Sequence, residues 1–458
     1  MFKTPFIQRF TQFLPPEVCE RLARSTGWLQ RRGKIHPTEF IAGPTCAQAS
    51  AVHPSLSAQG QSYQQPVTPQ AVDQRYNPQA VKFFAAAFEH TLHTSLEAQA
   101  GLPDRDLLQA QFAAVRLFDS THFAVSESLA ARFPACGGGG GAAGIKVLLQ
   151  HEYLRSQFQP LVLLPGKSSD QGLASLAGAH VGPGELGLFD KGFFHGAVLR
   201  EIHERGGYFL IPWPRSVTVW EVPPEGPAAR VELAQRLRHQ EGNGLELTGM
   251  RLGQGEGALD EVRVLAYRLR EETANRRRAA LREKCRTYGR EPKAEALELA
   301  GWEILLTNVP AEKLPRAVAG HLYRVRWQIE LVFKQLKSVL RLDEVPSGKE
   351  DRMQCEVWAR LIAGVMLFTC HRYANAALGA GSRRQISFAK LARRFAQEGL
   401  ALARAIMAGG RELHQLLSRL WGQILKSART GTQKSRKTTW ETLCDCWLDP
   451  VNAPATHA

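Results

Sequence analysis

Three carboxylates stand in contexts that solubility does not explain. Asp119 follows the apolar run AAVRLF, and Asp190 follows GLGLF. The terminus of a buried strand is where ligands and metals gather in α/β sheets, although a turn-forming Asp is the plainer reading of either residue alone. The third acid, Glu330, lies in HLYRVRWQIELVFKQLKSVL, where Tyr323, Arg326, Glu330 and Lys337 are spaced by three, four and seven. At about 100° per residue these four fall within roughly 60° of one helical face. They form a polar stripe beside Ile329, Leu331, Val332, Phe333 and Leu336. An amphipathic helix with i,i+4 ion pairs gives a similar stripe, so spacing alone leaves both readings open.

These residues need elements to hold them. Residues 1–105 read as short helices broken by polar, Pro-containing loops, a small helical region. From 111 the pattern changes to β-type runs, QFAAVRLFDS, GIKVLLQHEYL, FQPLVLLPGK and GELGLFD, joined later by GYFLIPWP and interleaved with helix-like DQGLASLAGAHVG and FFHGAVLREIHERG. That order predicts a mixed α/β layer over 106–213. SVTVWEV, GLELTGMRL and EVRVLAYRLR predict a separate sheet inserted over 214–300, ending in a basic helix. WEILLTNVP reads as one more buried strand opening 301–345, and 346–458 reads as mostly helix with a basic tail. GLALARAIMAGGRELHQLLSRLWGQIL is the clearest periodic stretch there.

The 458 residues predict two to four structural units, and 44% hydrophobic with 22% charged residues excludes a disordered, collagenous or disulfide-stapled chain. Basic residues exceed acidic ones by 15, which points to a polyanionic partner, nucleic acid ahead of a membrane surface. The excess is unevenly placed: residues 1–250 hold 22 basic against 21 acidic side chains, residues 251–458 hold 36 against 22. Eight scattered cysteines suit free thiols, and Cys444 and Cys446 are too isolated for a zinc site. No apolar stretch of roughly 18 residues and no signal-peptide pattern are read, so the expected location is the cytoplasm, without a membrane partner. Gly139, Gly141 and Gly144 formally satisfy G-x-G-x-x-G, but IKVLLQ follows where a helix should open, so the run Gly137 to Gly141 reads as a hairpin connection. Ser387 and Lys390 match S-x-x-K without its partner motifs, and Ser387 reads as a helix N-cap. His151-Glu152 and Cys370-His371 read as structural pairs.

The pattern Y-x2-R-x3-E-x6-K resembles the YREK signature of bacterial insertion-sequence DDE transposases, with Tyr323, Arg326, Glu330 and Lys337 at its four positions. RLFDST resembles that family's first-aspartate strand, LFDKGFF its second-aspartate segment, and WEILLTNVP the strand before its YREK helix. The resemblance covers approximately 110 to 345. It implies an α/β fold with a ribonuclease H-like mixed-sheet core, interrupted by a β-rich insertion and flanked by helical N- and C-terminal regions, the former DNA-binding. The intervals, 71 positions from Asp119 to Asp190 and 140 from Asp190 to Glu330, leave room for that insertion.

The resemblance further implies Asp119, Asp190 and Glu330 as catalytic ligands of Mg2+, in two ions, with Mn2+ able to substitute. A phosphodiester is shielded by anionic oxygens and has a poor leaving group, and two hard cations on oxygen ligands address both obstacles. The implied reaction nicks the element's terminal inverted repeats, passes through a hairpin and joins 3' ends to target DNA, with two subunits synapsing the ends in a homodimer. Tyr323, Arg326 and Lys337 become phosphate contacts. Trp302 matches a family tryptophan that stacks on a flipped base, a buried core Trp being the competing reading. Residues 263–293 hold 11 basic side chains against four acids, including Arg276, Arg277, Arg278, Arg282 and Lys284, which read as a DNA-backbone surface or as a solvated face. Arg383, Arg384, Arg393, Arg394 and the tail lysines would add nonspecific contacts. Two alternatives remain open: another ribonuclease H-like metal nuclease, and a transposase-derived DNA-binding protein that has lost catalysis.

Overall fold

Alternation along VRLFDSTHFA sends Val115, Leu117 and Phe123 into one core cluster and Phe118 into another, so this strand is the divide between two helical layers. In the computed structural model the described residues are 3–47, 55–96, 106–135, 141–154, 157–255, 258–379 and 384–430. Gly137 to Gly140, Arg383, Cys444, Cys446 and the tail residues Lys434 and Lys437 lie outside them.

Among the described residues, ten strands form one sheet: β1 (Val115–Ala124), β2 (Gly144–Glu152), β3 (Gln157–Pro165), β4 (Leu186–Phe189), β5 (Tyr208–Pro212), β6 (Val219–Glu221), β7 (Ala229–Arg230), β8 (Gly244–Leu252), β9 (Leu259–Arg268) and β10 (Trp302–Thr307). Their order is β3-β2-β1-β4-β5-β10-β9-β8-β6-β7. The first five strands are the mixed core, with β1, β2 and β3 antiparallel and β1, β4 and β5 parallel. This is the arrangement expected of a ribonuclease H-like core.

The insertion is not a separate sheet. β10 pairs with β5 along one edge and with β9 along the other, so the inserted strands prolong the core sheet. A strand that returns between core and insertion leaves no free edge at which a second sheet would begin.

Among the described residues, seven helices precede the sheet: α1 (Lys3–Thr11), α2 (Pro16–Ser25), α3 (Pro37–Ala47), α4 (Leu56–Ser62), α5 (Pro69–Asp73), α6 (Pro78–Leu96) and α7 (Asp106–Gln109). Within and after it come α8 (Asp170–Ala179), α9 (Gly196–Glu204), α10 (Leu233–Arg238), α11 (Glu271–Thr287), α12 (Ala294–Leu299), α13 (Arg316–Arg324), α14 (Trp327–Ser338), α15 (Glu350–Ala376), α16 (Phe388–Gln397), α17 (Gly399–Ala408) and α18 (Gly410–Ser427). The N-terminal helices do not stand apart: α6 lies on α15, α3 on α17 and α1 on α18, and Phe6 stacks on Trp421 at 4.7 Å. α15 corrects the membrane reading in part. It is long and apolar enough to cross a membrane, and its apolar window is 83% buried inside the protein.

Two expected single helices are interrupted. The periodic stretch near 399–427 divides at Gly409 and Gly410, whose φ values of 65° and 50° only glycine adopts without strain. The polar-stripe helix divides into α13 and α14 at Val325 and Arg326. There the amides of Val325, Arg326 and Ile329 bond three residues back rather than four, a tightened turn between the two segments. Several lesser expectations hold. Ser387 Oγ accepts from the Lys390 amide as an N-cap, Glu152 accepts backbone amides of Val115 and Leu154, and His371 contacts the Ile386 carbonyl at 2.7 Å. Cys19, Cys46, Cys285, Cys355 and Cys370 are free thiols.

Candidate active site

Strand register brings the first two acids together. Parallel β1 and β4 pair Phe118 with Phe189, whose rings stack at 5.0 Å on the α8 side, so Asp119 and Asp190 follow side by side and face the opposite layer. Asp119 does not end its strand as expected, because β2 continues to pair with β1 as far as Ala124. It sits instead where the parallel pairing with β4 stops. Asp190 caps a short 3-10 turn over Lys191–Phe193, its Oδ2 accepting the Gly192 amide at 3.4 Å.

The opposite layer delivers Glu330. Ile329, Leu336 and the nearby Val332 and Phe333 bury α14 against the β1 face, which turns Arg326 and Glu330 toward the strand ends. The Arg326 guanidinium contacts all three acids: Glu330 Oε1 at 2.8 Å, Asp119 Oδ2 at 3.7 Å and Asp190 Oδ1 at 3.8 Å. Burial works against its charge, but Tyr323 and the three carboxylates raise its pKa above the ordinary value. Asp119 is the most desolvated acid. Burial lifts its pKa to about 6, opposed by the Ser120 amide and Arg326 and assisted by Asp190 and Glu330.

Among the described residues no three His, Cys, Asp or Glu side chains are packed closely enough to hold an ion as they stand. The donor set nevertheless fits a hard divalent cation. Three carboxylates converge with no soft ligand among them, and one guanidinium now supplies the positive charge they require.

From the stripe Tyr323 reaches the end of β4 and Lys337 reaches β1. Tyr323 Oη donates to the Phe189 carbonyl at 3.2 Å, directly before Asp190, and burial pushes its pKa well up. Lys337 Nζ donates to the His122 carbonyl at 3.0 Å, and burial lowers its pKa. Tyr323, Arg326 and Glu330 thus gather where β1 and β4 part, and Lys337 meets β1 three residues beyond Asp119.

The model of the transposase DDE domain matches residues 110–366, more than half of the chain. This chain belongs to the DDE transposase family. Over 461 residues it is 24% identical to the transposase for insertion sequence element IS231F of Bacillus thuringiensis subsp. israelensis, spanning 95% of this chain and 94% of that relative. The transposase for element IS1151 of Clostridium perfringens is 24% identical over 75% of each chain. A piggyBac transposase synaptic complex with hairpin DNA superposes with a TM-score of 0.46 at 11% identity, covering 94% of this chain and 87% of that one. The family and its relatives identify an insertion-sequence DDE transposase, and they do not favour a lapsed DNA-binding protein or another nuclease.

Beside the triad of this transposase opens a cavity of about 950 Å3, between the end of β4, β10, α11 and the α13–α14 junction. Its wall carries Lys191, Arg215, Arg277, Trp302, Trp327 and Glu303. Burial lowers the pKa of Lys191 and Arg215, and each is lowered further by a neighbouring arginine, while Asp190 and Glu303 oppose the shift at Lys191. Trp302 is 3% exposed, and the Arg268 guanidinium lies 4.4 Å from its ring centroid. The core reading of this residue therefore holds alongside its place on the wall. Trp327, 59% exposed at the mouth, was not singled out from sequence; an apolar residue directly after Arg326 on the polar side of the helix was the available signal.

The basic stretch is mostly solvent-facing, since Ala274 is the buried residue of α11. Arg276, Arg282 and Lys284 are exposed. Arg277 pairs with Glu303 at 2.6 Å and Arg278 with Glu271 at 2.9 Å, so these two serve the fold as well.

Proposed function

We propose that this transposase cuts DNA at its element's terminal inverted repeats and joins the 3' ends to target DNA, with Asp119, Asp190 and Glu330 holding divalent cations. The observation that carries the reading is the convergence of these three acids, from two strands and a helix, on one guanidinium. Mg2+ ions bound there, with Mn2+ as substitute, would activate the attacking oxygen and stabilise the leaving one.

The protein's own groups supply the rest. Arg326, already charge-paired within the triad, offers a fork suited to a phosphate as the scissile strand approaches. Tyr323 donates beside Asp190, and Lys337 donates to β1 three residues beyond Asp119. Lys191, Arg215 and Arg277 line a cationic wall for the flanking backbone, and Trp327 offers exposed ring surface to a base lifted from its stack, with the buried Trp302 backing the wall behind it. Arg276, Arg282 and Lys284 on α11 extend the backbone contact outward. A homodimer holding two ends in synapsis completes this reading.

The test is cleavage of DNA bearing the element's own inverted repeats by the purified protein with Mg2+. Asp119→Ala and Glu330→Ala are expected to retain end binding and stop cleavage. Unchanged cleavage in either variant would sink the assignment.

A further inference from the structure

Asp170 opens α8 after the N-cap Ser169, where an acid ordinarily serves only the helix dipole. Its carboxylate is engaged elsewhere. Oδ1 accepts from Ser120 Oγ at 2.5 Å and from Lys146 Nζ at 3.2 Å. Ser120 directly follows Asp119, and its amide donates to Asp119 Oδ1 at 2.8 Å. On its other side Asp170 abuts Gly192: a Cβ on that glycine would lie 3.4 Å from both Asp170 Cβ and Oδ2. The Gly192 amide is the one that donates to Asp190 Oδ2. Asp170 is therefore hydrogen-bonded to the residue whose amide aims Asp119 and packs beside the glycine whose amide aims Asp190.

We infer that Asp170, anchored by Lys146 and Ser120, is a positioning residue that fixes the mutual orientation of the first two metal-binding aspartates. β-strand alternation puts Ser120 on the α8 side of the sheet and Asp119 on the α14 side, so Asp170 acts through the backbone of its neighbours. Lys146, with a side chain only 12% exposed on β2, holds the carboxylate in place by charge. Partners of this kind typically alter metal affinity about 10- to 100-fold when removed.

The inference rests on the metal reading of the triad, and the experiment separates the two. Mn2+ binding to the full-length protein is measured by calorimetry without DNA, with end-DNA binding in EDTA as a measure of the intact fold. Asp170→Ala and Ser120→Ala are expected to weaken Mn2+ binding by about tenfold or more. Asp170→Asn, which still accepts from Ser120, should recover much of the loss, and EDTA-state DNA binding should be unchanged in all three. Asp119→Ala is the reference. If it abolishes Mn2+ binding while Asp170→Ala and Ser120→Ala bind like wild type, the brace is wrong and the triad stands. If Asp119→Ala itself binds Mn2+ normally, the metal reading falls and the brace with it. An equal loss of DNA binding in EDTA would make Asp170 a general support of the fold and overturn its assignment to the aspartates.

Discussion

Replacing Asp119 by Asn should stabilise the metal-free protein at neutral pH while destroying its activity. Burial raises the Asp119 carboxyl from an ordinary 3.8 to about 6, a shift of about two units. At about 1.36 kcal/mol per unit, the folded protein is strained by up to about 3 kcal/mol when this group ionises. Between about pH 4 and 6 the native state keeps the proton that the unfolded chain has released. The unfolded state then binds fewer protons, so wild-type stability falls as pH rises through that window and levels off above it. Asn at this position keeps the shape and removes the titration. Arg326 keeps its shortest partner, Glu330 at 2.8 Å, in the variant.

The assay is urea unfolding in EDTA across pH 4 to 8, comparing Asp119→Asn with wild type. The advantage of the variant should be small at pH 4 and approach about 3 kcal/mol by pH 7. Saturating Mg2+ should then stabilise wild type, by about 2.7 kcal/mol at a hundredfold excess over its Kd, and leave the variant largely unmoved. A pH-independent difference would show that Asp119 is not desolvated. An advantage that grew toward low pH would reverse the sign of the argument, marking a carboxylate stabilised in its charged form by Arg326.

Three further outcomes are expected. Joint replacement of Arg276, Arg282 and Lys284 by Ala should flatten the salt dependence of end binding by about 2 to 3 in the log–log slope, and an unaltered slope would return α11 to a solvated face. Trp327→Ala should weaken binding of ends carrying an unpaired base at the cleavage site by about 1–3 kcal/mol relative to fully paired ends, read by fluorescence of a base analogue; equal losses on both would exclude stacking. Arg360, fully buried, donates to the carbonyls of Arg341, Glu344 and Glu356, so Arg360→Met should destabilise the protein by at least about 3 kcal/mol in chemical unfolding, and a smaller loss would mean water replaces the guanidinium.

The acids were legible because each stands where a chain rarely places charge: Asp119 and Asp190 after apolar runs, Glu330 on a stripe beside Ile329 and Leu336. What pattern could not reveal was partnership. β10 is a single apolar run, and nothing in WEILLT says that one edge meets β5 and the other β9, so the insertion looked like a separate sheet. The break at Val325 and Arg326 was equally hidden, because both residues keep right-handed helical angles and the stripe passes through without a Gly or Pro. Asp170 escaped notice for a related reason. An acid in the first turn of a helix needs no explanation until Ser120 and Gly192 are seen on either side of it.

The continuous sheet changes what the uneven charge means. The nearly neutral first 250 residues supply β1 and β4, hence both aspartates, and the basic remainder supplies Glu330, Arg326 and α11. A separate inserted sheet would leave that basic portion to bind DNA independently of the acids. Pairing of β10 with both β5 and β9 instead runs one hydrogen-bonded sheet from the strands carrying the aspartates to β10, the strand that α11 lies against. Trp302 begins β10, and the Arg277 side chain bonds its carbonyl and Glu303, so α11 is tied to that sheet next to the cavity. On the proposed reading, a DNA backbone bound along α11 would lie at an offset from Asp190 set by this sheet. Proximity of this kind is useful only if the offset is rigid, since a displacement of about 1 Å at a reacting centre can lower rate about a hundredfold. The sheet provides that rigidity where a flexibly tethered insertion would not.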